Sequence, residues 1–328
     1  MTGAVCRMFA STLAGFVFAA CGGPQPQIGI PGAMAQGSAI ATHAQRSGSW
    51  MLPEAKSEDL LYVGSFDSGG VGVYTYPTGK LVGTLTGFTI VEGLCSDKAG
   101  NVWITDASSV SYGPGEIIEY PHGGTKSIAT LNDAWSPNDC AVDRKTGDLA
   151  AVNVTAGNTL DEGLAVYAHA RGTPTYYDDL TANTIAATYD DAGNLFMAGY
   201  QGPSAEALYW LPEGTCCVQQ LYNSNGNQIF GVQTVAWDGK FLAVTIGSNR
   251  INRYELQDGA AKLVDRIPTK CCVVPVQQIW IQGSILVDWA ASESGNYVGL
   301  WHYPAGDLFR KIAVGAKPYG VTVSAAPK

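Results

Sequence analysis

The sequence predicts an all-β fold, a six-bladed β-propeller with four-stranded blades, on three observations. An apolar strand pattern returns about every 45 residues along the chain. A turn that contains proline and glycine recurs at a fixed place after this pattern. One further strand pattern stands alone near the C-terminal end, where it completes the first repeat. A two-sheet sandwich does not account for such a period.

The repeated strand is a short apolar run that follows a turn, which is typical of a strand buried on both faces. Its six copies are residues 59–64, 101–106, 148–153, 194–199, 240–245 and 284–289. A second strand follows each copy and ends in a turn of the type Tyr76-Pro77-Thr-Gly79. With a third strand after this turn and an opening strand before the repeated one, each repeat has the four strands of a propeller blade.

Ring closure is predicted from the two ends of the repeat array. The first repeat lacks its opening strand, and the chain supplies an extra strand at 319–324. Pairing this strand beside 60–64 closes the ring and removes the long exposed edges that an open array leaves free to aggregate. We therefore place the propeller at residues 58–328, with its blades numbered 1 to 6 in chain order.

The residues before the propeller predict export. Arg7 precedes an apolar run at 8–20 that is too short to span a bilayer, so 1–20 is interpreted as a signal peptide. Cys21 follows small residues, as in a bacterial lipobox, and is the candidate lipidated residue; the alternative is a cleaved signal in which Cys21 has no role. Residues 21–57 are rich in Gly, Pro, Gln, Ala and Ser and are interpreted as a tether. We expect a bacterial periplasmic or cell-surface protein held by a lipid anchor.

Charge excludes two classes of partner. The chain has 19 Lys and Arg against 28 Asp and Glu, a formal net charge of −9, and no basic cluster. Nucleic acids and anionic membrane surfaces need concentrated positive charge, so a lipid anchor is the one membrane contact expected and no nucleic acid is expected.

The first residue of each opening strand is expected to face the mouth of the central channel. These ring residues are Glu92, Asn138, Ile185, Gln233, Gln277 and Tyr319. The longer loops belong to the same face, while the opposite face has tight glycine turns. A site on the loop-rich face, for a protein, peptide or glycan partner, is therefore expected.

The Gly-Asn turn followed by an apolar strand, repeated around a ring, resembles NHL-repeat propellers and the related gluconolactonase-like (regucalcin-type) lactonases. The resemblance covers 59–324 as architecture, and Glu92-Gly93 and Asn138-Asp139 as motifs. It implies that Glu92 and Asn138 hold a divalent cation such as Ca²⁺ in the mouth. The chain departs from that pattern at the next positions, where Ile185 and Gln233 stand in place of Asn and Asp, and Ca²⁺ needs about six or more oxygen ligands.

The cysteines of the propeller leave several arrangements open. Cys95 and Cys140 fall on neighbouring channel-lining strands, one step out of register, so their pairing is undecided. The adjacent pairs Cys216-Cys217 and Cys271-Cys272 are predicted to be vicinal disulfides or free thiols with structural roles.

Three functions follow from this pattern. The leading one is a binding or interaction module that works through its loop-rich face and has no cofactor. The alternative is a lactonase-like metal-dependent hydrolase, and a weaker one is a carbohydrate-binding surface protein. No nucleophile, zinc or phosphate-binding motif is found in the sequence, which favours binding over catalysis.

Overall fold

The computed structural model describes residues 48–107, 113–154, 163–177, 183–201, 205–247, 250–257, 259–268, 278–292, 295–315 and 317–328. The predicted signal peptide, Cys21, Gln277, Cys271 and Cys272 lie outside these residues. Six sheets form six blades, and the predicted all-β propeller is confirmed. Their strands pair antiparallel, except that the short edge strand Tyr222–Asn223 pairs parallel with Ala260–Pro268. No helix in the described part of the chain is long and apolar enough to cross a membrane.

The strands are numbered in chain order. Blade 1 contains β1 (Trp50–Met51), β2 (Leu60–Ser65), β3 (Gly70–Thr75) and β4 (Leu81–Thr86); blade 2 contains β5 (Ile90–Ser96), β6 (Val102–Ala107), β7 (Gly115–Tyr120) and β8 (Ala129–Asp133). Blade 3 contains β9 (Ser136–Val142), β10 (Leu149–Val154), β11 (Leu164–Tyr167) and β12 (Thr175–Tyr177); blade 4 contains β13 (Asn183–Tyr189), β14 (Leu195–Gln201), β15 (Ala205–Leu211) and β16 (Gln219–Gln220). Blade 5 contains β17 (Tyr222–Asn223), β18 (Val232–Trp237), β19 (Leu242–Ile246), β20 (Arg250–Gln257) and β21 (Ala260–Pro268); blade 6 contains β22 (Ile279–Gln282), β23 (Ile285–Ser292), β24 (Gly295–His302) and β25 (Asp307–Ala313). Two short 3-10 helices occupy Pro53–Lys56 and Ala168–Ala170.

The last strand, β26 (Pro318–Ser324), closes the ring. It pairs antiparallel with β2, with Leu60 opposite Ser324 and Val63 opposite Val321, and becomes the innermost strand of blade 1. The predicted closure is therefore confirmed. The innermost strands of blades 1 to 6 are β26, β5, β9, β13, β18 and β22.

The core lies between the blades rather than inside any one of them. Alternate residues of β2 show this, because Leu60 and Tyr62 pack with blade 2 while Leu61 and Val63 pack with blade 6. Side chains alternate across a strand with a period of two, so a strand with blades on both sides must be apolar at every position. The continuous apolar runs that predict the repeated strand follow from this sandwiching.

The propeller begins earlier in the chain than the predicted tether boundary at residue 57, because residues before it form the outer edge of blade 1. Trp50 and Met51, which the sequence places in the tether 21–57, pair with β4 opposite Thr84 and Gly83. The 3-10 helix that follows buries Ala55 completely. Residues 50–56 therefore belong to the propeller, because they cover an edge that would otherwise expose unpaired backbone groups.

Candidate functional site

The inner strands depart from regular pairing at the predicted ring residues. A bulge places extra residues on one strand opposite fewer on its partner, and so changes the direction of the side chain at that point. The register shifts lie between Val91 and Leu94 in β5, between Pro137 and Asp139 in β9, between Thr184 and Ala186 in β13, between Val232 and Val235 in β18, and between Pro318 and Val321 in β26.

The burial of the inner-strand residues also changes at the ring positions. Each described ring residue is half-buried and stands between two fully buried neighbours, as in Val91-Glu92-Gly93 and Pro318-Tyr319-Gly320. The bulge thus presents one side chain per blade to the space around the axis. We call the surface formed by Glu92, Asn138, Ile185, Gln233 and Tyr319 the channel mouth.

Two glycines let the inner strands approach closely at this level. A Cβ on Gly93 would lie 2.6 Å from Asp139 Cα and 2.8 Å from the Asn138 carbonyl oxygen. A Cβ on Gly320 would meet the Glu92 carbonyl oxygen and would lie 2.6 Å from Leu94 Cδ1. Side chains at these positions would push blades 1, 2 and 3 apart, so the glycines are required for the mouth to be narrow.

Glu92 is the acidic group of the mouth. Burial raises the pKa of its carboxyl to about 7, and the Tyr319 hydroxyl, which donates a hydrogen bond to it, opposes this shift. Oε2 of Glu92 is buried and has no hydrogen-bond partner among the residues that the structure describes. A carboxylate held in this state can accept a further donor or exchange a proton near neutral pH.

Aromatic side chains stand beside this carboxyl. The ring of Phe66, in the turn between β2 and β3, has its centroid 5.4 Å from that of Tyr319, and Phe66 is 39 % exposed. Burial first, and then the charges of Glu92 and Tyr200, raise the pKa of Tyr319. Phe66, Tyr319 and Tyr200 thus surround the mouth with surfaces on which an apolar or cationic group can stack.

Two other mouth residues make contacts with neighbouring blades and are not available to a ligand in the same way as Glu92. Asn138 Nδ2 donates a hydrogen bond of 2.7 Å to the Ile185 carbonyl oxygen, so this amide ties blade 3 to blade 4. The Ile185 side chain packs against the cluster between blades 4 and 5. Of the other three mouth residues, Gln233, Glu92 and Tyr319, the last two are joined by the hydrogen bond described above.

Next to the mouth, Gln278 and Asp139 form a hydrogen-bonded pair that the sequence analysis did not assign to a site. Gln278 Oε1 accepts hydrogen bonds from Leu94 N and Val321 N at 3.1 and 2.8 Å. Its Nε2 donates to Leu94 O at 2.6 Å and to Asp139 Oδ1 at 2.8 Å. Gln278 therefore joins the inner strands of blades 6, 1, 2 and 3. We call this pair the Asp139–Gln278 hub.

Asp139 is buried with neutral partners. Its Oδ1 also accepts from Cys140 N at 2.8 Å, and its Oδ2 accepts from Ala187 N at 3.1 Å. Burial raises the pKa of this carboxyl well above its usual range, against the backbone hydrogen bonds that lower it. The sequence contained one signal for this residue, its place directly after Asn138 in a buried strand.

The central channel also has a space on the opposite side of the hub. A cavity of about 210 Å³ extends from Asp139 and Gln278 to the tight-turn face, with Tyr189, Trp237 and Trp280 in its wall. The Asp139–Gln278 hub lines the end of this cavity that is nearest the mouth.

The disulfide of the inner ring joins blades 2 and 3. Cys95 and Cys140 are bonded with their Cα atoms 5.6 Å apart, which answers the pairing that the sequence left open. The bridge lies next to the hub, because Cys140 follows Asp139. Cys216 and Cys217 have their sulfur atoms 3.0 Å apart, and the structure has no disulfide between them.

The residues present do not supply a complete calcium site. Glu92 offers one carboxylate, and the amide of Asn138 is oriented by its bond to blade 4. Within the described ranges no three His, Cys, Asp or Glu side chains are grouped so as to hold a metal ion. A calcium ion takes about six to eight oxygen ligands, so this donor set does not fit it.

Comparisons with known proteins identify the fold. No protein-family model matches the sequence, and no curated protein sequence does. Among solved structures, a chain in the crystal structure of a nidogen/laminin complex superposes with a TM-score of 0.60 at 16 % identity, over 82 % of this chain and 99 % of that one.

Two bacterial structures are also similar. A putative 6-phosphogluconolactonase from Bacteroides uniformis has a TM-score of 0.52 at 12 % identity, over 80 % of this chain and 85 % of that one. A functionally unknown protein from Desulfotomaculum acetoxidans has a TM-score of 0.51 at 14 % identity, over 79 % and 81 %. Likeness at identities this low establishes a similar overall fold and nothing about function. It supports the architectural part of the predicted family resemblance.

Proposed function

We propose that this protein is an exported, lipid-anchored β-propeller that binds a protein, peptide or glycan partner at its channel mouth. The observation that carries the proposal is the coincidence of bulges and half-buried side chains at one level of the ring. Bulges are features that aim side chains at a site, and here five inner strands have one at the same point. Phe66 and Tyr319 add an exposed aromatic surface beside a carboxyl that has an unused acceptor atom.

The binding test compares two phenylalanines of equal exposure. Phe66 is 39 % exposed beside the mouth, and Phe309 is 38 % exposed on the outer edge strand of blade 6. The full-length chain is screened on glycan and peptide arrays, and each hit is measured by calorimetry. Because aromatic anchors carry much of the energy of an interface, Phe66→Ala should weaken binding about 10-fold, and Phe309→Ala should leave it unchanged. Equal loss in both variants, or loss in Phe309→Ala alone, would contradict binding at the mouth.

Export and anchoring are tested at Cys21. In a bacterial host, the full chain should incorporate a labelled fatty acid and sediment with membranes. Cys21→Ala should lose both properties, because the predicted thioether-linked lipid has no other attachment point. Cys216→Ala serves as the cysteine control. A Cys21→Ala protein that partitions like the unchanged chain would leave the signal peptide with a simple secretory role.

Lactone hydrolysis is the second candidate, and the state of Glu92 supports it. A carboxyl whose pKa is raised to about 7 can serve as a general acid or base near neutral pH. A lactone panel, assayed with and without added Ca²⁺, should give turnover that Glu92→Gln abolishes and that the exposed Glu58→Gln retains. The absence of turnover under both conditions would remove this candidate and leave the binding proposal intact.

A further inference from the structure

We propose that the channel mouth recognises an organic ammonium group, held between the Glu92 carboxyl and the rings of Phe66 and Tyr319. The ammonium would be carried by a lysine side chain of a peptide or by an amino sugar. This inference rests on the proposed binding function and names the chemical group that the mouth selects.

The first argument is that Glu92 has no cation of its own. The ion pairs found in the described part of the chain lie elsewhere, for example Lys80 with Glu54 and Arg253 with Asp238. The contact that Glu92 does make is the hydrogen bond from the neutral Tyr319 hydroxyl. Its Oε2 atom is buried without a hydrogen-bond partner in the described structure. A buried acceptor of this kind is costly to leave unpaired. The Glu92 residue is half-buried, so a turn of its carboxyl toward the mouth brings Oε2 to a ligand's donor, and the charge-assisted hydrogen bond formed there removes this cost.

The second argument is the charge below the mouth. Asp139 accepts hydrogen bonds from two backbone N–H groups and from the Gln278 amide, and these donors are all neutral. Asp139 lies close to the mouth, because it follows Asn138 in the chain and a Cβ on Gly93, the neighbour of Glu92, would lie 2.6 Å from Asp139 Cα. The Glu92 carboxylate is ionised at pH 8 and has no countercharge in the described structure, and the neutral donors around Asp139 add no positive charge to oppose it. The mouth therefore has a negative potential, which attracts cations and repels carboxylate or phosphate ligands.

The third argument is the aromatic wall. The Phe66 and Tyr319 rings lie 5.4 Å apart with an interplanar angle of 36°, and Phe66 is exposed. Ring faces attract a cation that lies within about 6 Å of the ring centroid, and this attraction grows when the cation is desolvated. A carboxylate next to two rings is the combination that binds alkylammonium groups, whereas a bare metal ion requires more oxygen ligands than the mouth offers.

The test compares charged and neutral versions of two probes with the purified full-length chain. Nα-acetyl-lysine methylamide is paired with its norleucine analogue, and glucosamine is paired with N-acetylglucosamine. Calorimetry is run at pH 8 for the lysine pair and at pH 7 for the glucosamine pair, because the amino group of glucosamine is less basic than that of lysine and is largely unprotonated at pH 8. Binding should be at least about 10-fold tighter for the ammonium probe of one or both pairs. A preference for the lysine probe would identify a peptide partner, and a preference for glucosamine would identify an amino sugar.

Variants separate the charge from the shape of the mouth. Glu92→Gln should reduce the ammonium preference to about 2-fold or less, since it removes the charge and keeps the size of the side chain. Phe66→Ala should weaken the ammonium probes, whereas Phe309→Ala and Glu58→Gln should bind like the unchanged chain. Thermal unfolding of every variant checks that loss of binding is not loss of fold.

Three outcomes would overturn the inference. They are equal binding of the neutral probes, an ammonium preference that survives in Glu92→Gln, and no binding of either ammonium probe. The array hits described above judge the proposed function separately, because a neutral glycan or an apolar peptide that needs Phe66 would support binding at the mouth without an ammonium group.

Discussion

Carboxylates at the two ends of the inner strands differ in the number of hydrogen bonds that they accept. At the tight-turn end, Asp190 accepts hydrogen bonds from Ala192 N and Asn194 N, both at 2.9 Å, and from Asn194 Nδ2 at 2.8 Å. Asp97 and Asp238 accept similar bonds in the turns of their own blades. At the mouth end, Glu92 has one hydrogen bond from Tyr319 and a buried oxygen without a partner in the described structure.

Within one repeat, the carboxylate at the tight-turn end therefore contributes to stability, whereas the carboxyl at the mouth is suited to binding. A turn carboxylate that satisfies several local donors holds its blade together and has no capacity left for a ligand. A mouth carboxyl with an unused acceptor reduces stability and can be stabilised only by something that binds it. The same repeat therefore has a structural end and a binding end, and substitutions at the two ends should have opposite effects.

The largest effect is expected from closing the space between blades 2 and 3. Gly93→Ala places a Cβ 2.6 Å from Asp139 Cα, where backbone must move. Overpacking of this kind should lower the free energy of unfolding by about 3 kcal/mol, measured by denaturant titration. The matched control is Gly315→Ala, where a Cβ meets nothing within 4 Å, and its change should stay within about 0.5 kcal/mol. Equal effects in the two variants would show that the mouth has room to spread.

The next effect is expected at the structural end. Asp190→Ala removes three hydrogen bonds from the Asp190-Asn194 turn and should lower the free energy of unfolding by about 2 kcal/mol. Asp67→Ala, an exposed acid in the turn between β2 and β3, is the control and should have little effect. A loss of ligand binding in Asp190→Ala with unchanged stability would break the proposed division between the two ends.

The third effect has the opposite sign and appears only as the pH rises. Burial raises the pKa of Glu92 in the folded state to about 7, above its ordinary 4.5, so its contribution to stability is present below pH 4.5 and is lost as pH rises through 7. Glu92→Gln removes this titration. Between pH 4.5 and pH 8 the variant should gain about 2–3 kcal/mol of stability relative to the unchanged chain, measured by thermal or denaturant unfolding, because each pKa unit between the folded and unfolded states corresponds to about 1.4 kcal/mol. A stability difference that does not change with pH would show that Glu92 does not titrate in this range.

The repeat pattern was sufficient for the fold. A strand between two blades must be apolar on both faces, so β2 and its equivalents are visible as continuous apolar runs at a regular spacing. The closure by β26 was predictable for the same reason, since one missing strand and one extra strand complete a single blade. The edge strand β1 was not predictable, because Trp50-Met51 has no repeat equivalent and its pairing with β4 depends on which blade edge is open.

The site was predictable in part. The positions of Glu92 and Tyr319 at the mouth follow from their place at the start of opening strands. The hydrogen bond between them could not be predicted from the sequence, because the two residues are 227 positions apart and meet only when the ring closes. Gln278 was missed for a similar reason: a single glutamine before a short strand has no pattern, and its four hydrogen bonds exist only once blades 6, 1, 2 and 3 meet.

The sequence by itself determined the class of fold, the number of blades and the way the ring closes, because these depend on local periodicity and strand count. Tertiary structure alone decided the Cys95–Cys140 bond, the Asp139–Gln278 hub and the unsatisfied state of Glu92. These features depend on distances between blades, and small residues such as Gly93 and Gly320 set those distances only when the ring is assembled.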